Sequence, residues 1–244
     1  MLKAFRYSGN KCRLLKCYRQ NPTGAKRLVE PYLGSGSAFL ASTLPGLGYE
    51  TNGDVVAMWK WLQTCARGDL LDLNSDVEKL KLTEEKPDVR LLKLALGPQT
   101  YVRINVTGVL TGQLTAWRIY PQNKLPVDNT SKCLEKIRDI EVIHGDAGLY
   151  EHRDGDVLFV DPPYVGTTGG YVEKGKKSHE TGYDPQSTID LLRKTSNPII
   201  LTYGDGAADV FPRYTWIEVA TRKVPNIRRG GTVDRHEYVT YINW

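Results

Sequence analysis

Metal and disulfide chemistry have little to work with in this chain of 244 residues, which holds four cysteines and four histidines. Cys12, Cys17, Cys65 and Cys133 form no Cys-x-x-Cys pair and do not cluster with the histidines. That argues against a zinc site and against a disulfide framework, and it fits a reducing, cytoplasmic setting. No apolar run approaches the length needed to span a bilayer. The stretch from Met1 to Tyr7 has no apolar signal-peptide core. Internal repeats and low-complexity tracts are absent. A strong charge of either sign is missing too. The formal net charge of +5 leans towards a polyanionic partner, although a soluble protein with a slightly basic surface would show the same.

What is present is ordinary for a globular protein, with 40% hydrophobic and 25% charged residues. The length suits one sizeable α/β domain with a modest insertion. Arg27–Tyr32 reads as a strand entering a Gly turn, and Ser37–Thr43 as the start of a helix. Leu47–Glu50 reads as a second strand ending in an acid, and Asp54–Leu62 as a helix with Asp54 as its N-cap. Further strands are expected at Glu141–Gly145, Asp156–Asp161 and Pro198–Tyr203, with a helix over 185–195 begun by Asp184-Pro185. Strands alternating with helices predict a mostly parallel sheet covered on both faces. Trp216–Lys223 and Glu237–Asn243 alternate and predict a terminal hairpin. Residues 66–135 break this rhythm, with short helices expected at Asp76–Leu82 and Val89–Leu96. The expected division is therefore a catalytic domain of residues 1–65 and 136–244 with an inserted subdomain of residues 66–135.

The most informative segment is Val157-Leu158-Phe159-Val160 running into Asp161-Pro162-Pro163-Tyr164. A buried-type strand delivers an acid, a rigid Pro-Pro pair and an aromatic ring to one place. The Asp161 carboxylate and the Pro162 carbonyl can accept both N–H groups of an exocyclic amino group, and the prolines fix the backbone so that the carbonyl stays aimed. Tyr164 can stack on an extruded base. Glu30-Pro31-Tyr32-Leu33-Gly34-Ser35-Gly36-Ser37 puts a Gly-x-Gly turn after a strand, where backbone approaches a ligand closely. Phe39 stands where a dinucleotide fingerprint needs its third glycine, so S-adenosylmethionine suits this turn better than NAD. Glu50, ending the second strand, can accept ribose hydroxyls, with Asp54 four residues later as its rival for that role. Asp146 follows a third strand and reads either as a contact to an adenine amino group or as a turn residue. Tyr7-Ser8-Gly9-Asn10-Lys11 carries a cation able to neutralise a carboxylate, such as that of the cofactor's methionine part. Arg103, Asn105, Arg118, Lys124, Lys174, Lys176, Lys177, Arg228 and Arg229 are candidate DNA contacts to phosphate or, for Arg103, guanine.

In this order, the motifs resemble the Dam-type (D12 class) DNA adenine-N6 methyltransferases of bacteria and phages. Asp161–Tyr164 looks like that family's signature tetrapeptide, Tyr7–Lys11 like its N-terminal cofactor motif, and Glu30–Phe39 like its Gly-rich motif. Glu50-Thr51-Asn52-Gly53-Asp54 resembles its Asp-Ile-Asn-Pro-Asp. Arg103-x-Asn105-x-x-Gly108 resembles the Arg-x-Asn-x-x-Gly of its target-recognition region. The resemblance implies a class I methyltransferase fold (Rossmann-like, with a C-terminal β-hairpin) and S-adenosylmethionine as donor, with S-adenosylhomocysteine as product. It implies double-stranded DNA as substrate, a monomer or weak dimer, no metal, and the cytoplasm of a bacterium or phage-infected host. A restriction partner, a phage defence function and replication or repair marking are all compatible. Cytosine-N4, RNA or protein-glutamine methylation and a catalytically inactive DNA-binding homologue are the rivals. Asp161 argues against the first, because Ser is more usual there. The family departs from this chain at Glu50, where Asp is commoner, and at Thr202-Tyr203, where Ser-Asn is frequent. The recognition stretch is short after Gly112, which implies relaxed specificity, such as for a dinucleotide.

Overall fold

The computed structural model describes residues 4–5, 11–79, 127–165, 183–225 and 232–244. Among them, seven strands form one sheet: β1 (Arg27–Glu30), β2 (Gly46–Glu50), β3 (Ile140–His144), β4 (Asp156–Val160), β5 (Ile199–Tyr203), β6 (Ile217–Pro225) and β7 (Thr232–Ile242). Their spatial order is β3-β2-β1-β4-β5-β7-β6. The first five run parallel. β7 runs antiparallel to both β5 and β6. This winding, with its reversed terminal hairpin, is the class I methyltransferase fold. The chain changes winding direction between β1 and β4. Ligands of open α/β sheets bind at such a switch point, beyond the carboxyl ends of the strands.

Strand alternation explains why the sheet has two covered faces. Leu28, Val157 and Phe159 join one apolar cluster, with Phe39, Val55, Met58, Trp59, Leu62 and Ile137. Their neighbours Val29, Leu158 and Val160 join the other, with Leu47, Leu191, Leu201 and Phe211. Successive side chains point to opposite faces, so a strand apolar at every position must be buried on both. The described α-helices are α1 (Ser37–Ala41), α2 (Gly53–Thr64), α3 (Arg67–Lys79), α4 (Val127–Ser131), α5 (Leu134–Ile137), α6 (Pro185–Lys194) and α7 (Ala207–Val210). Leu70 and Leu73 of α3 are buried in the first cluster beside Cys65. The 66–135 stretch therefore begins with a helix anchored in the main core.

Local chemistry accounts for the boundaries. Asp184 accepts from the Gln186 amide at 2.9 Å and Pro185 opens α6, the expected combination. Asp54 does not cap α2. Asn52 takes that role, its Oδ1 accepting the Asp54 amide at 2.9 Å, which leaves Asp54 within the first turn. α3 spans Arg67–Lys79 where a short helix over Asp76–Leu82 is expected. The other expected helix, Val89–Leu96, lies outside the described residues. β7 starts at Thr232, five residues before the expected Glu237. At the amino edge of the sheet, Arg27 binds Asp156 through two parallel bonds, Nε to Oδ1 at 2.9 Å and Nη2 to Oδ2 at 2.7 Å. The Tyr150 hydroxyl donates to Oδ2 at 3.0 Å and accepts from Asn197 at 2.8 Å.

Candidate active site

Parallel winding brings the ends of β1, β2, β3, β4 and β5 to one edge, and most of the sequence-predicted residues collect there. Glu30, Gly34, Ser35, Gly36 and Ser37 sit between β1 and α1. Gly34 (φ 47°) and Gly36 (φ 60°) are both left-handed, a conformation that glycine adopts without strain. A Cβ on Gly36 would lie 2.5 Å from the Trp59 ring. Trp59 also supports the turn through its indole N–H, which donates to the Gly34 carbonyl at 2.8 Å. Glu30 lies beneath, 3% exposed, its Oε1 accepting the Phe39 amide at 2.6 Å. Burial pushes its carboxyl up to about 8, against the partial relief of that amide.

Glu50 clamps the same turn from β2. One carboxylate oxygen accepts the Gly34 amide at 3.0 Å and the other the Asn52 amide at 2.8 Å. Burial raises its pKa, opposed by those backbone donors. Each oxygen retains a lone pair, so the bonds shape the turn without exhausting the acceptors. Asp146 is exposed. Its Oδ1 accepts the Gly148 amide at 2.7 Å and opens the short 3-10 turn Ala147–Leu149. The Tyr32 hydroxyl bonds the Thr188 hydroxyl at 2.6 Å, which ties the residues after β1 to α6.

The reactive-type cluster stands where β4 ends. Asp161 Oδ1 lies 3.0 Å from the Lys11 ammonium and 2.8 Å from the donating Thr202 hydroxyl. The Tyr164 hydroxyl is a further 3.4 Å neighbour of Oδ1. Among the described residues all three contacts fall on one oxygen, which leaves acceptor capacity at Oδ2. Lys11 is 3% exposed. A carboxylate partner for it is expected from the cofactor; the two found belong to the protein, Asp161 and, at 3.6 Å, Glu237. Tyr164 donates to Glu237 Oε2 at 2.7 Å. Its ring lies 4.7 Å from the Tyr203 ring, with the Lys11 ammonium 4.8 Å over it. Burial first, then the Asp161 and Glu237 charges, hold its phenol well above the ordinary range. Gly204 presses against the same ring: a Cβ there would meet Tyr164 at 2.6 Å. Pro162 and Pro163 complete the segment between Asp161 and Tyr164.

Sequence reasoning gave no role to Glu237, Gly204 or Tyr18, and it marked Thr202-Tyr203 only as a departure from the resembled motif. For Glu237 a signal existed: it falls in phase with Val239 and Tyr241, which pack on the core. The Tyr18 ring lies tilted against Phe159 at 5.7 Å, and its buried hydroxyl has no hydrogen-bond partner among the described residues. Tyr7, Arg103, Asn105, Arg118, Lys124, Lys174, Lys176, Lys177, Arg228 and Arg229 lie outside the described residues. Among the described residues, no group of three or more His, Cys, Asp or Glu side chains is arranged to hold a metal ion. None of their helices is long and apolar enough to cross a membrane.

The sheet order and reversed hairpin are those of the class I methyltransferases, enzymes that draw their methyl group from S-adenosylmethionine. Within that class the chain is similar to the retron Ec67 DNA adenine methylase of Escherichia coli, with 24% identity over 226 residues, covering 84% of this chain and 78% of that protein. Among solved structures, a Clostridium thermocellum chain assigned as an rRNA methylase overlaps 98% of this chain and 99% of its own length, at 12% identity and a TM-score of 0.39. A precorrin-6y C5,15-methyltransferase of Geobacter metallireducens overlaps 98% of this chain and 93% of its own, at 10% identity and a TM-score of 0.40. No family model matches the chain.

The residues present fit S-adenosylmethionine. Two left-handed glycines keep side chains off the turn at the switch point, and Glu50 borders it with acceptor capacity to spare. The unpaired Tyr18 hydroxyl marks a polar group that a bound ligand can satisfy.

Proposed function

We propose that this protein is a Dam-type DNA adenine-N6 methyltransferase acting on double-stranded DNA. The observation that carries the reading is the Asp161 cluster. An acid at the end of β4 has one oxygen fixed by Lys11 and Thr202, a Pro-Pro carbonyl beside it and a tyrosine ring alongside. The similarity to a DNA adenine methylase favours the same substrate.

Glu50 and the Gly34–Ser37 turn would hold the cofactor, with Asp146 at its border. Bound there, S-adenosylmethionine supplies an electrophilic methyl group. The protein's own residues solve the other half of the problem. The lone pair of an aromatic amino group is delocalised into its ring, so the nitrogen is a poor nucleophile. Asp161 Oδ2 and the Pro162 carbonyl accept its two N–H bonds and favour a pyramidal nitrogen with its lone pair exposed. Lys11 and Thr202 stop the carboxylate from turning away, so the acceptors are pre-organised. Tyr164 offers the extruded adenine a stacking face; extrusion itself costs a few kcal/mol. The basic residues named from sequence would grip phosphates, with Arg103 and Asn105 reading the target.

Incubation with unmethylated DNA and labelled S-adenosylmethionine, followed by nucleoside mass spectrometry, tests the reading. N6-methyladenine is the expected product. N4-methylcytosine would change the base and keep the amino chemistry. Transfer to RNA alone would overturn the DNA assignment. Sequencing the modified DNA tests the expected short recognition site, and one long fixed motif would refute it.

A further inference from the structure

We propose that Glu237, on the antiparallel strand β7, is a positioning residue that sets where the Tyr164 ring and the Lys11 ammonium stand. The inference rests on the reading of Asp161–Tyr164 as the base-holding segment and adds to it a partner some seventy residues further along the chain.

Three observations converge on this carboxylate. The first is its place. β7 enters the sheet from the carboxyl edge, pairing Tyr238 with Tyr203 and Val239 with Thr202. Glu237 therefore lies just beyond the end of β5, level with the site. Alternation puts it on the face of Val239 and Tyr241, the face against which residues 11–19 lie: the Arg19 amide donates to the Tyr241 hydroxyl at 3.0 Å. The second is a break in the strand pairing opposite it. β6 and β7 pair Glu218 with Tyr238 and Ala220 with Glu237, so an extra residue bulges between Glu218 and Ala220. Such bulges raise local twist and re-aim side chains, often beside active sites.

The third is an imbalance of charge. Lys11 already has Asp161 at 3.0 Å. Glu237 adds a second carboxylate at 3.6 Å, and its side chain is only 14% exposed. Burying an acid has a desolvation cost, and a neutral side chain at this position would avoid it. What the acid adds is a short bond from the Tyr164 hydroxyl, 2.7 Å. A ring bound at its hydroxyl, backed by Tyr203 and confined by Gly204 has no latitude to rotate. Stacking on a mobile base needs a surface fixed in advance, because misplacement by about 1 Å can slow an enzymatic step by about a hundredfold.

The test pairs a substrate-free readout with kinetics. The protein is labelled with tyrosine carrying 13C at Cζ, and Tyr164 is assigned with Tyr164→Phe. In Glu237→Ala the Tyr164 Cζ signal is expected to shift and its phenol to titrate at lower pH than in the wild type. Single-turnover methyl transfer is expected to slow by about 10- to 100-fold, while cofactor affinity stays within about 3-fold. Glu237→Gln, nearly isosteric and still an acceptor for the hydroxyl, is expected to recover most of the rate. An unchanged Tyr164 signal in Glu237→Ala would show that the carboxylate does not hold the ring. A shifted signal with a wild-type rate would overturn the positioning role. A wild-type protein whose Tyr164 responds to Glu237 but which methylates no adenine in DNA would sink the function proposed above and leave the Glu237 contact standing.

Discussion

The two ends of β4 each meet an acid beside a base, Asp156 within the strand and Asp161 just after it, and the two sites are built to opposite specifications. At the amino edge Asp156 uses both oxygens: Arg27 takes them in parallel and Tyr150 adds a third bond. At the carboxyl edge Asp161 receives Lys11 and Thr202 on one oxygen only. A second acid crowds the same lysine, and a tyrosine hydroxyl nearby has no partner among the described residues. A saturated ion pair stabilises a fold and has no capacity left for a ligand. An unsaturated one keeps hydrogen-bonding capacity that only a ligand can use. Four residues, Val157–Val160, separate two acids of one chemical type, and their surroundings leave them with different hydrogen-bonding capacity.

Alanine at each acid breaks the comparison most sharply. Asp161→Ala should lower methyl transfer by about a thousandfold or more, since it removes a pre-organised acceptor at the reacting nitrogen. Cofactor affinity should stay near wild type, and Glu237, 3.6 Å from the Lys11 ammonium, should limit the loss of stability. Asp156→Ala should do the reverse. It leaves the Arg27 guanidinium, 18% exposed, without its partner and should destabilise the fold by about 3 kcal/mol. Urea unfolding and single-turnover kinetics on both variants decide the matter. A stable Asp156→Ala or an active Asp161→Ala would erase the distinction. The next effect in size belongs to Gly204→Ala. Its Cβ would meet the Tyr164 ring at 2.6 Å. Displacing the ring should slow transfer by about a hundredfold, with an unchanged circular dichroism spectrum as the control for folding.

The amino-edge pair and the carboxyl-edge cluster were not equally legible in the sequence. Strands apolar at every position, such as Val157–Val160, announce burial on both faces, and so the parallel sheet. The tetrapeptide and the Gly turn announce themselves because local chemistry dictates them. The start of β7 is hidden for a physical reason. Val233–His236 pair only with β6, beyond the last pairing with β5, so no core selects an apolar phase there. Asn52 outcompetes Asp54 as the cap because helix entry is set by where the chain leaves β2. The partners of Lys11 are invisible because Asp161 and Glu237 meet it only through tertiary structure. The acid in phase with Val239 and Tyr241 is the one trace that Glu237 leaves in the sequence.

A pH series sharpens the contrast between buried acids. Glu30 is held up at about 8, against 4.5 for an ordinary carboxyl. The folded state therefore binds this proton more tightly than the unfolded chain. Its stabilising contribution is complete below about pH 4.5 and is lost as the pH rises through about 8. Glu30→Gln, which keeps an acceptor for the Phe39 amide, should flatten that slope. Urea midpoints measured at pH 5 and pH 9 should fall further in the wild type than in the variant. Parallel slopes would mean that Glu30 remains ionised within the fold.

The smallest effect tests the idea that the carboxyl edge is unsaturated. The Tyr18 hydroxyl is buried without a partner among the described residues, and desolvation leads the causes that raise its phenol pKa, followed by the Asp161 and Glu237 charges. Leaving a buried hydroxyl unbonded costs about 1–3 kcal/mol. Tyr18→Phe removes that cost and keeps the ring against Phe159, so the variant should unfold at slightly higher urea, by about 1 kcal/mol in stability. If the hydroxyl is held ready for a ligand, the same change should weaken S-adenosylmethionine or DNA binding several-fold. Stability gained with binding lost is the signature of a group kept unsatisfied by the fold for a ligand to complete. Stability lost with binding intact would show that Tyr18 already bonds within the protein, and the carboxyl edge would then be as saturated as the amino edge.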